Sequence, residues 1–407
     1  MTYQILHLCA RTTSHPVQVD RLRQSIVGFT KWDDLLQQAE VHGLGPLMYW
    51  HLKVVNAPLP NDFNRALGLL FLRHRRANTI RMNALGEVLI ILDKEGIDVL
   101  VLKGAALCHL VYPEIGLRPM RDIDLLVRPS DAPLAQGLLI KHGYCASRAT
   151  MPPDHYNQVS LQRTIDGLSM CIEVHHGIFP SSSPPYCWSK SFDQLFASAI
   201  SFEVNGFSTR TLGYEDMLWH LYQHGFGMPL IYETCRLIPA ADIISLVEAK
   251  IDIIDWEKIQ SEYSKLLAVL PLFHHLTPWH EAALSQLSLN PGPRPRNVGV
   301  PFLGWPRFRL SELKNKKLIE IFRSTFFPPE WWFKVYYGIS GKMDWYRHRF
   351  GTHPLHILWW IRLYGSFFRE FHLEAAGEGN WNKNGSLASK IRHTKIVVAG
   401  MIRRRYG

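Results

Sequence analysis

The spacing of apolar and polar residues divides the chain into helical stretches on either side of one α/β segment. In the first stretch, Trp32, Leu35 and Ala39 fall at helical spacing, and a longer amphipathic pattern runs from Asp62 to Asp93. A Pro/Gly-rich break follows Asn290. Four regions are predicted: 1–93 helical, 94–213 an α/β core, 214–290 helical, and 291–407 an aromatic and basic C-terminal appendage. The predicted fold class is α+β, with a mixed β-sheet core embedded in a mostly helical chain.

The centre of the α/β segment is the stretch from Ile97 to Val127. It begins with an apolar run at positions 99–102, which predicts a buried strand, followed by Lys103 and Gly104. Gly104 is expected to let the backbone turn sharply into a short helix. The free N–H groups at the start of such a helix suit a phosphate, and Lys103 adds a full positive charge there.

A second strand follows the helix and carries Asp122 and Asp124. Because side chains alternate along a strand, both carboxylates are predicted to project from the same face. Two neighbouring carboxylates repel each other unless a cation lies between them, and their oxygens suit Mg²⁺. The pattern is short, so a capping or surface pair is the alternative interpretation.

A third carboxylate is predicted to reach the same cleft from a hairpin. Residues 156–163 and 169–176 have strand character and are separated by the turn signal Asp166-Gly167. The second of these strands carries Glu173. Alternation places His175 on the side of Glu173 and sends the following histidine to the opposite face.

Three further side chains each allow more than one interpretation of their role. Arg118, four residues before Asp122, is placed to bind triphosphate oxygens or to pair with Glu114 or one of the nearby aspartates. His220 and His224 share a helix face, a spacing that fits zinc ligands, packed histidines or histidines that face the cleft.

Several of these segments resemble a known family. LKGAAL, YPEIGLRPMRDIDLLV and IEVHHGI resemble the bacterial nucleotidyltransferase family usually labelled uncharacterised, within the DNA polymerase beta superfamily, and the abortive-infection nucleotidyltransferase toxins share a related pattern. The resemblance covers about residues 30–280. It differs from the superfamily's usual pattern in having Lys103-Gly104 at the phosphate turn and Glu173 where relatives often carry Asp. His224 lies where relatives tend to have a histidine.

The resemblance implies a nucleotidyltransferase that uses a nucleoside triphosphate and two Mg²⁺ ions. Its catalytic and metal-binding residues would be Asp122, Asp124 and Glu173. The triphosphate would bind along Lys103, Gly104 and Arg118.

Composition adds information about partners and compartment. The 407-residue chain has a net charge of +10, which suggests contact with a polyanion or an anionic surface. Seven Lys or Arg and no acidic residue lie between 383 and 407, so tRNA or an anionic membrane is a possible partner of this end. The six cysteines form no C-x-x-C pair and no run of about eighteen apolar residues occurs, so we expect a cytoplasmic protein.

Three functions remain open from the sequence. The first is transfer of a nucleoside monophosphate to a hydroxyl of a small molecule, a peptide or a sugar-derived compound. The second is toxin-like transfer to tRNA, which the basic charge favours. The third is a non-catalytic nucleotide-binding or scaffold protein, which the three carboxylates argue against.

Overall fold

The computed structural model describes residues 1–56, 58–147, 156–179, 190–227 and 236–295, with six single positions between 317 and 335. The N-terminal helices are α1 (Thr2–Leu8), α2 (Pro16–Ile26), α3 (Trp32–His42), α4 (Gly45–Val55) and α5 (Asn61–Lys94). Helix α3 ends where Gly43 adopts a left-handed conformation, and Pro46 lies in the first turn of α4. The predicted helical character of residues 1–93 is confirmed.

Seven strands follow, with four helices among them. The strands are β1 (Leu100–Leu102), β2 (Ile123–Leu126), β3 (Cys145–Ala146), β4 (Leu161–Ile165), β5 (Leu168–His175), β6 (Ile200–Val204) and β7 (Phe207–Thr211). The helices are α6 (Lys103–Leu110), a 3-10 turn (Ile115–Leu117), α7 (Ala132–Lys141) and α8 (Phe192–Ala197). The strands form one sheet in the order β3-β4-β5-β2-β1-β7-β6. Because β2 is antiparallel to β1 and parallel to β5, the sheet is mixed, as predicted.

Two tight hairpins shape the sheet. The predicted hairpin is confirmed: β4 pairs with β5 across Asp166 and Gly167, whose φ angles of 49° and 77° give a turn with two left-handed residues. The same geometry recurs between β6 and β7 at Asn205 and Gly206, with φ angles of 51° and 79°. The sequence analysis did not predict this second hairpin, although Asn-Gly is a strong signal for this turn type.

Helices cover both faces of the sheet. On one face, Leu102 and Leu126 join the core formed with the first four helices and the C-terminal helices. On the other face, Val101 and Leu125 pack with the second half of α5 and with α7. Alternation along β2 assigns Asp124 to the face of Leu126.

Helical structure returns after β7, as predicted. The elements are α9 (Tyr214–Tyr222), a π-helical turn (Gln223–Gly227), α10 (Ile238–Lys250), α11 (Trp256–Glu262), α12 (Ser264–Phe273) and α13 (Glu281–Gln286). Within the described residues, none of the helices combines the length and the apolar character needed to cross a membrane. Of the aromatic appendage, Trp331 is buried and its indole N–H donates to the Leu272 carbonyl at 3.2 Å. The basic stretch 383–407 lies outside the described residues, and the four-region division stays a prediction.

Candidate active site

The site lies where the end of β1 meets the start of β2, beside the C-terminal half of β5. The strand register pairs Leu102 of β1 with Asp124 of β2, and Asp124 with Glu173 of β5. Lys103 follows Leu102 directly, so this register brings its side chain to Asp124. The structure thus brings together the predicted lysine, one of the two predicted aspartates and the predicted glutamate.

Asp124 is the buried centre of the site, with 3% of its surface exposed. Its Oδ1 accepts hydrogen bonds from Lys103 Nζ at 3.0 Å and from His175 Nε2 at 2.8 Å. Burial by itself would raise the pKa of Asp124, but the charge of Lys103 and the hydrogen bond from His175 more than offset it, so its pKa lies well below the ordinary value. Asp124 is therefore ionised and strongly held before any ligand binds.

Lys103 is the matching cation. Burial lowers the pKa of this side chain, but the charge and hydrogen bond of Asp124, together with the charges of Tyr156 and Asp122, outweigh it, so the net shift is upward and the ammonium is retained. The Lys103 backbone has a φ of 49°, a left-handed conformation that is uncommon outside glycine. The expectation that Gly104 makes the sharp turn was therefore wrong, because Lys103 itself adopts the unusual conformation.

Gly104 is needed for space instead. A Cβ atom at this position would lie 2.2 Å from Arg118 Nη1 and 2.9 Å from Met120 Sδ. The missing side chain lets the guanidinium of Arg118 lie directly against the first turn of α6. In the Lys-Gly pair, Lys103 therefore has the left-handed backbone conformation and Gly104 leaves room for the side chain of Arg118.

Asp124, Glu173 and His175 form a group suited to a metal ion. One ligand atom from each lies within 4.8 Å of the other two. Glu173 is partly exposed, and its Oε2 accepts a hydrogen bond from Asn157 Nδ2 at 3.1 Å and lies 3.6 Å from His175 Nε2. Burial, and next the charge of Asp124, raise the pKa of Glu173. Two clustered carboxylates whose mutual repulsion is incompletely neutralised fit a divalent cation.

Asp122 lies at the edge of this group. It precedes the first residue of β2 and its side chain is exposed. Surrounding protein and then the charge of Asp124 raise its pKa, which shows that the two carboxylates repel each other. In the described part of the chain, Asp122 does not join the three-residue ligand group, so its role as a metal ligand stays a prediction.

Arg118 is held by an aspartate that the sequence analysis did not assign to it. Its Nε and Nη2 donate to the two carboxylate oxygens of Asp242 on α10 at 2.8 and 2.7 Å. Tyr112 Oη also donates to Asp242, at 2.7 Å. This bidentate pair leaves Arg118 Nη1 beside Gly104. Glu114, which was one of the partners considered for Arg118, is paired with Arg75 at 3.4 Å.

The two helical histidines enter the site region without forming a zinc cluster among the described residues. Their ring centroids are 6.3 Å apart, and His220 is buried against Phe179. His224 lies in the π-helical turn and is exposed. The positive charge of Lys103, and next desolvation by the surrounding protein, lower the pKa of His224 to about 3. His224 is therefore a neutral imidazole within electrostatic range of Lys103 and Asp124, and π-helical turns are frequent at functional sites.

The architecture and the site define a class of protein. A mixed sheet carries adjacent carboxylates on two parallel strands, and a lysine at the end of the neighbouring strand lies at the start of a helix. This is the arrangement expected of a nucleotidyltransferase, which must hold a triphosphate and a divalent cation together.

The chain belongs to the family described as uncharacterised nucleotidyltransferase, whose model matches residues 29–280. The predicted family is thereby confirmed at this level, and the protein is a nucleotidyltransferase. Such an enzyme uses a nucleoside triphosphate and an acceptor.

Two solved structures are similar to this chain. One is the antibiotic-resistance factor ANT(2'')-Ia, with 14% identity and a TM-score of 0.30, covering 49% of this chain and 98% of that chain. The other is an antigenic nucleotidyltransferase-like protein from Paracoccidioides brasiliensis, with 19% identity and a TM-score of 0.29, covering 47% of this chain and 78% of that chain. Among curated proteins, no relative matches the chain.

Proposed function

We propose that the protein transfers a nucleoside monophosphate from a nucleoside triphosphate to an acceptor hydroxyl at the site around Asp124, with Mg²⁺ as cofactor. The observation that supports this most directly is the register that sets Asp124 beside Glu173 while Lys103 contacts Asp124. The acceptor is a small molecule, a peptide or a sugar-derived compound.

The residues present fit a divalent cation, and the proposal places two Mg²⁺ ions there. Asp124 and Glu173 would supply carboxylate oxygens, Asp122 lies at the edge of the group, and burial and then the charge of Asp124 raise the pKa values of Asp122 and Glu173. When bound, Mg²⁺ neutralises phosphate charge and makes the attacking hydroxyl more acidic. His175 donates to Asp124 and fixes the orientation of that carboxylate.

The remaining steps belong to the chain's own side chains. Lys103 and the first turn of α6 bind the triphosphate, with Arg118 Nη1 next to them. The acceptor oxygen attacks the α-phosphorus, its proton passes to Glu173, and the bond to the β-phosphate oxygen breaks to release pyrophosphate. The protein contributes mainly alignment and charge neutralisation, as is general for phosphoryl transfer.

Label transfer from α-labelled triphosphates tests this proposal. The protein is incubated with each of the four triphosphates and Mg²⁺, and label is sought in tRNA, in the protein itself and in a small-molecule extract. We expect Asp124→Asn and Asp122→Asn to lower transfer by at least about a thousandfold, because each removes a charge that balances the cation. Asp62→Asn, an exposed aspartate in the first turn of α5, is the matched control.

Circular dichroism separates loss of chemistry from loss of fold. Each aspartate variant should keep the wild-type spectrum at 25 °C, because asparagine has nearly the same shape, although Asp124→Asn leaves the Lys103 charge unpaired and should unfold at a lower temperature. Full transfer by both Asp124→Asn and Asp122→Asn would remove the proposed catalytic site, whereas absence of label transfer by the wild-type protein would favour the non-catalytic alternative.

A basic face of α5 favours tRNA as a second candidate acceptor. Arg73, Arg75 and Arg76 are exposed there, and Arg75 packs against Gly116 in the segment that leads to Arg118. Cationic side chains beside a nucleotide site suit a polyanionic acceptor. Label found in tRNA, with binding that weakens steeply as salt rises, would support this candidate over a small molecule.

A further inference from the structure

A buried arginine outside the predicted α/β core has almost no partner. Arg81 of α5 is 7% exposed, and its Nη1 donates to Asn78 Oδ1 at 3.3 Å. Its Nε is buried and has no hydrogen-bond partner among the residues that the structure describes. In the described part of the chain, no carboxylate forms an ion pair with Arg81.

Such an arrangement is costly for folding. Removing a guanidinium from water costs several kcal/mol of folding free energy unless it is paired, and a donor left without a hydrogen bond adds to that cost. Burial, the first cause, lowers the pKa of Arg81, which expresses this cost, and the charge of Asp122 opposes the shift. An apolar side chain of similar length would stabilise the fold at least as well. A role in folding therefore does not explain this arginine.

The surroundings of Arg81 connect it to the triphosphate side of the site. Asn78, the one residue in the described ranges that accepts a hydrogen bond from Arg81, donates through Nδ2 to the carbonyl oxygens of Ile115 and Arg118 at 2.6 and 2.8 Å. Asn78 thus fixes both the segment that carries Arg118 and the guanidinium of Arg81. Asp122, whose charge acts on Arg81, also interacts electrostatically with Lys103 and Arg118. Asp122, at the edge of the site, therefore lies within electrostatic range of three cationic side chains.

We infer that Arg81 is a phosphate-binding residue of the active site, contributed by the N-terminal helical region. It donates to non-bridging phosphate oxygens that arrive beside Asp122, and these replace the acceptors that the folded chain does not supply. The inference rests on the proposed nucleotidyl transfer and extends it by one residue. The phosphate has two possible sources: the β- and γ-phosphates of the nucleotide, or a phosphate group of the acceptor.

Binding measurements with a pair of arginine variants test the inference. Arg81→Met removes the charge and keeps an unbranched side chain, and Arg81→Lys keeps the charge without the fork of donors. Arg65→Gln is the matched control, because Arg65 is an exposed arginine of the same helix and lies about 24 Å from Arg81 along the helix axis. Dissociation constants are measured with Mg²⁺ for ATP, AMP and pyrophosphate, and for inorganic phosphate in the presence of a saturating non-hydrolysable ATP analogue.

We expect Arg81→Met to bind phosphate roughly 10- to 100-fold more weakly, the range for losing hydrogen bonds to a charged group. If Arg81→Met binds ATP and pyrophosphate more weakly but AMP as tightly as wild type, then Arg81 binds the β- and γ-phosphates of the nucleotide. If Arg81→Met binds ATP as tightly as wild type but inorganic phosphate more weakly, then Arg81 binds a phosphate group of the acceptor. Arg81→Lys should fall between Arg81→Met and wild type, and Arg65→Gln should match wild type.

Thermal unfolding distinguishes a binding role from a structural one. If Arg81 serves binding and its burial costs folding free energy, Arg81→Met should unfold at the same temperature as wild type or at a higher one. A lower unfolding temperature with unchanged affinities for all four ligands would overturn the inference. Wild-type protein that binds none of the ligands would overturn the proposed function as well, whereas wild-type binding without any dependence on Arg81 would overturn the inference alone.

Discussion

At the scale of single residues, the site is organised by charge balance around one carboxylate oxygen. Asp124 Oδ1 receives both Lys103 Nζ and His175 Nε2, so a buried anion is compensated by two donors. Glu173, on the neighbouring strand, has a single hydrogen bond from Asn157 and a raised pKa. The two adjacent carboxylates therefore differ: Asp124 is fixed and ionised, whereas Glu173 is available to a ligand or a proton.

Gly104→Ala provides a test at this scale. The new Cβ would overlap Arg118 Nη1, so the guanidinium must give up at least part of its bidentate contact with Asp242. We expect a loss of about 1.5–3 kcal/mol in the free energy of unfolding, the value of a hydrogen bond to a charged group, and weaker ATP binding. Urea unfolding and ATP titration measure the two effects.

The control for this substitution is Gly137→Ala in α7. A Cβ at Gly137 would meet no atom within 4 Å, so alanine should stabilise the helix by up to about 1 kcal/mol. Equal stabilities and ATP affinities for Gly104→Ala and wild type would show that Arg118 does not need this space.

At the scale of elements, α10 and the segment after α6 are joined by a buried ion pair. Arg118 and Asp242 are 124 positions apart in the sequence and meet with both guanidinium–carboxylate bonds formed. Tyr112 donates a third hydrogen bond to Asp242. Burial, and next the charge of Asp242, raise the pKa of the Tyr112 hydroxyl. The pair fixes a C-terminal helix to the loop that leads into β2.

Asp242→Asn is expected to destabilise the fold strongly. Removing one partner leaves the Arg118 charge buried and unpaired, which costs about 3–5 kcal/mol. Asp193→Asn is the matched control, because Asp193 is a highly exposed partner of Arg128, and exposed ion pairs contribute at most about 1 kcal/mol. Urea unfolding at neutral pH compares the two variants. A cost for Asp242→Asn no larger than that for Asp193→Asn would contradict this account.

The elements that the sequence predicts are those with local signals. The hairpin around Gly167 follows from strand alternation and an Asp-Gly turn, and β5 as the neighbour of β2 follows from placing Glu173 beside the aspartates, whereas the parallel direction of this pair was not predicted. The contacts of Arg118 and Arg81 have no such signal, because each depends on which distant helix packs against the loop before β2. Lys103 illustrates a different limit: a Lys-Gly pair suggests that glycine makes the turn, and only the backbone geometry shows that lysine does.

At the scale of the whole molecule, the N-terminal helices contain buried histidines that are neutral in the folded state. His51 is 1% exposed; its Nε2 donates to the Arg11 carbonyl at 2.7 Å and its Nδ1 lies 2.9 Å from Ser14 Oγ. Burial lowers the pKa of His51 to about 4 and that of His7 to about 3. These groups connect the stability of the whole chain to pH.

Acidification should therefore destabilise the protein before its carboxylates are titrated. The unfolded state binds protons at these histidines from about pH 6.5 downward, whereas folded His51 does so near pH 4. Its contribution to stability is complete above pH 6.5 and is lost progressively down to pH 4, by roughly 3 kcal/mol.

Thermal unfolding at pH 7.0, 5.5 and 4.5 measures this dependence. His51→Gln should show a smaller decrease in unfolding temperature on acidification than wild type. His142→Gln, at an exposed position, should behave like wild type. A decrease in His51→Gln as large as that in wild type would rule out His51 as the source.

The link between Asp242 and Arg118 has a consequence for the boundaries of the working enzyme. Lys103, Asp124 and Glu173 all lie before position 175 and the last strand of the sheet ends at Thr211, yet the carboxylate that holds Arg118 comes from a helix beyond that point. Excising the α/β core as a minimal fragment would strip this arginine of its anchor and open the apolar faces of the sheet to water. The smallest autonomous catalyst within this chain must extend through α10.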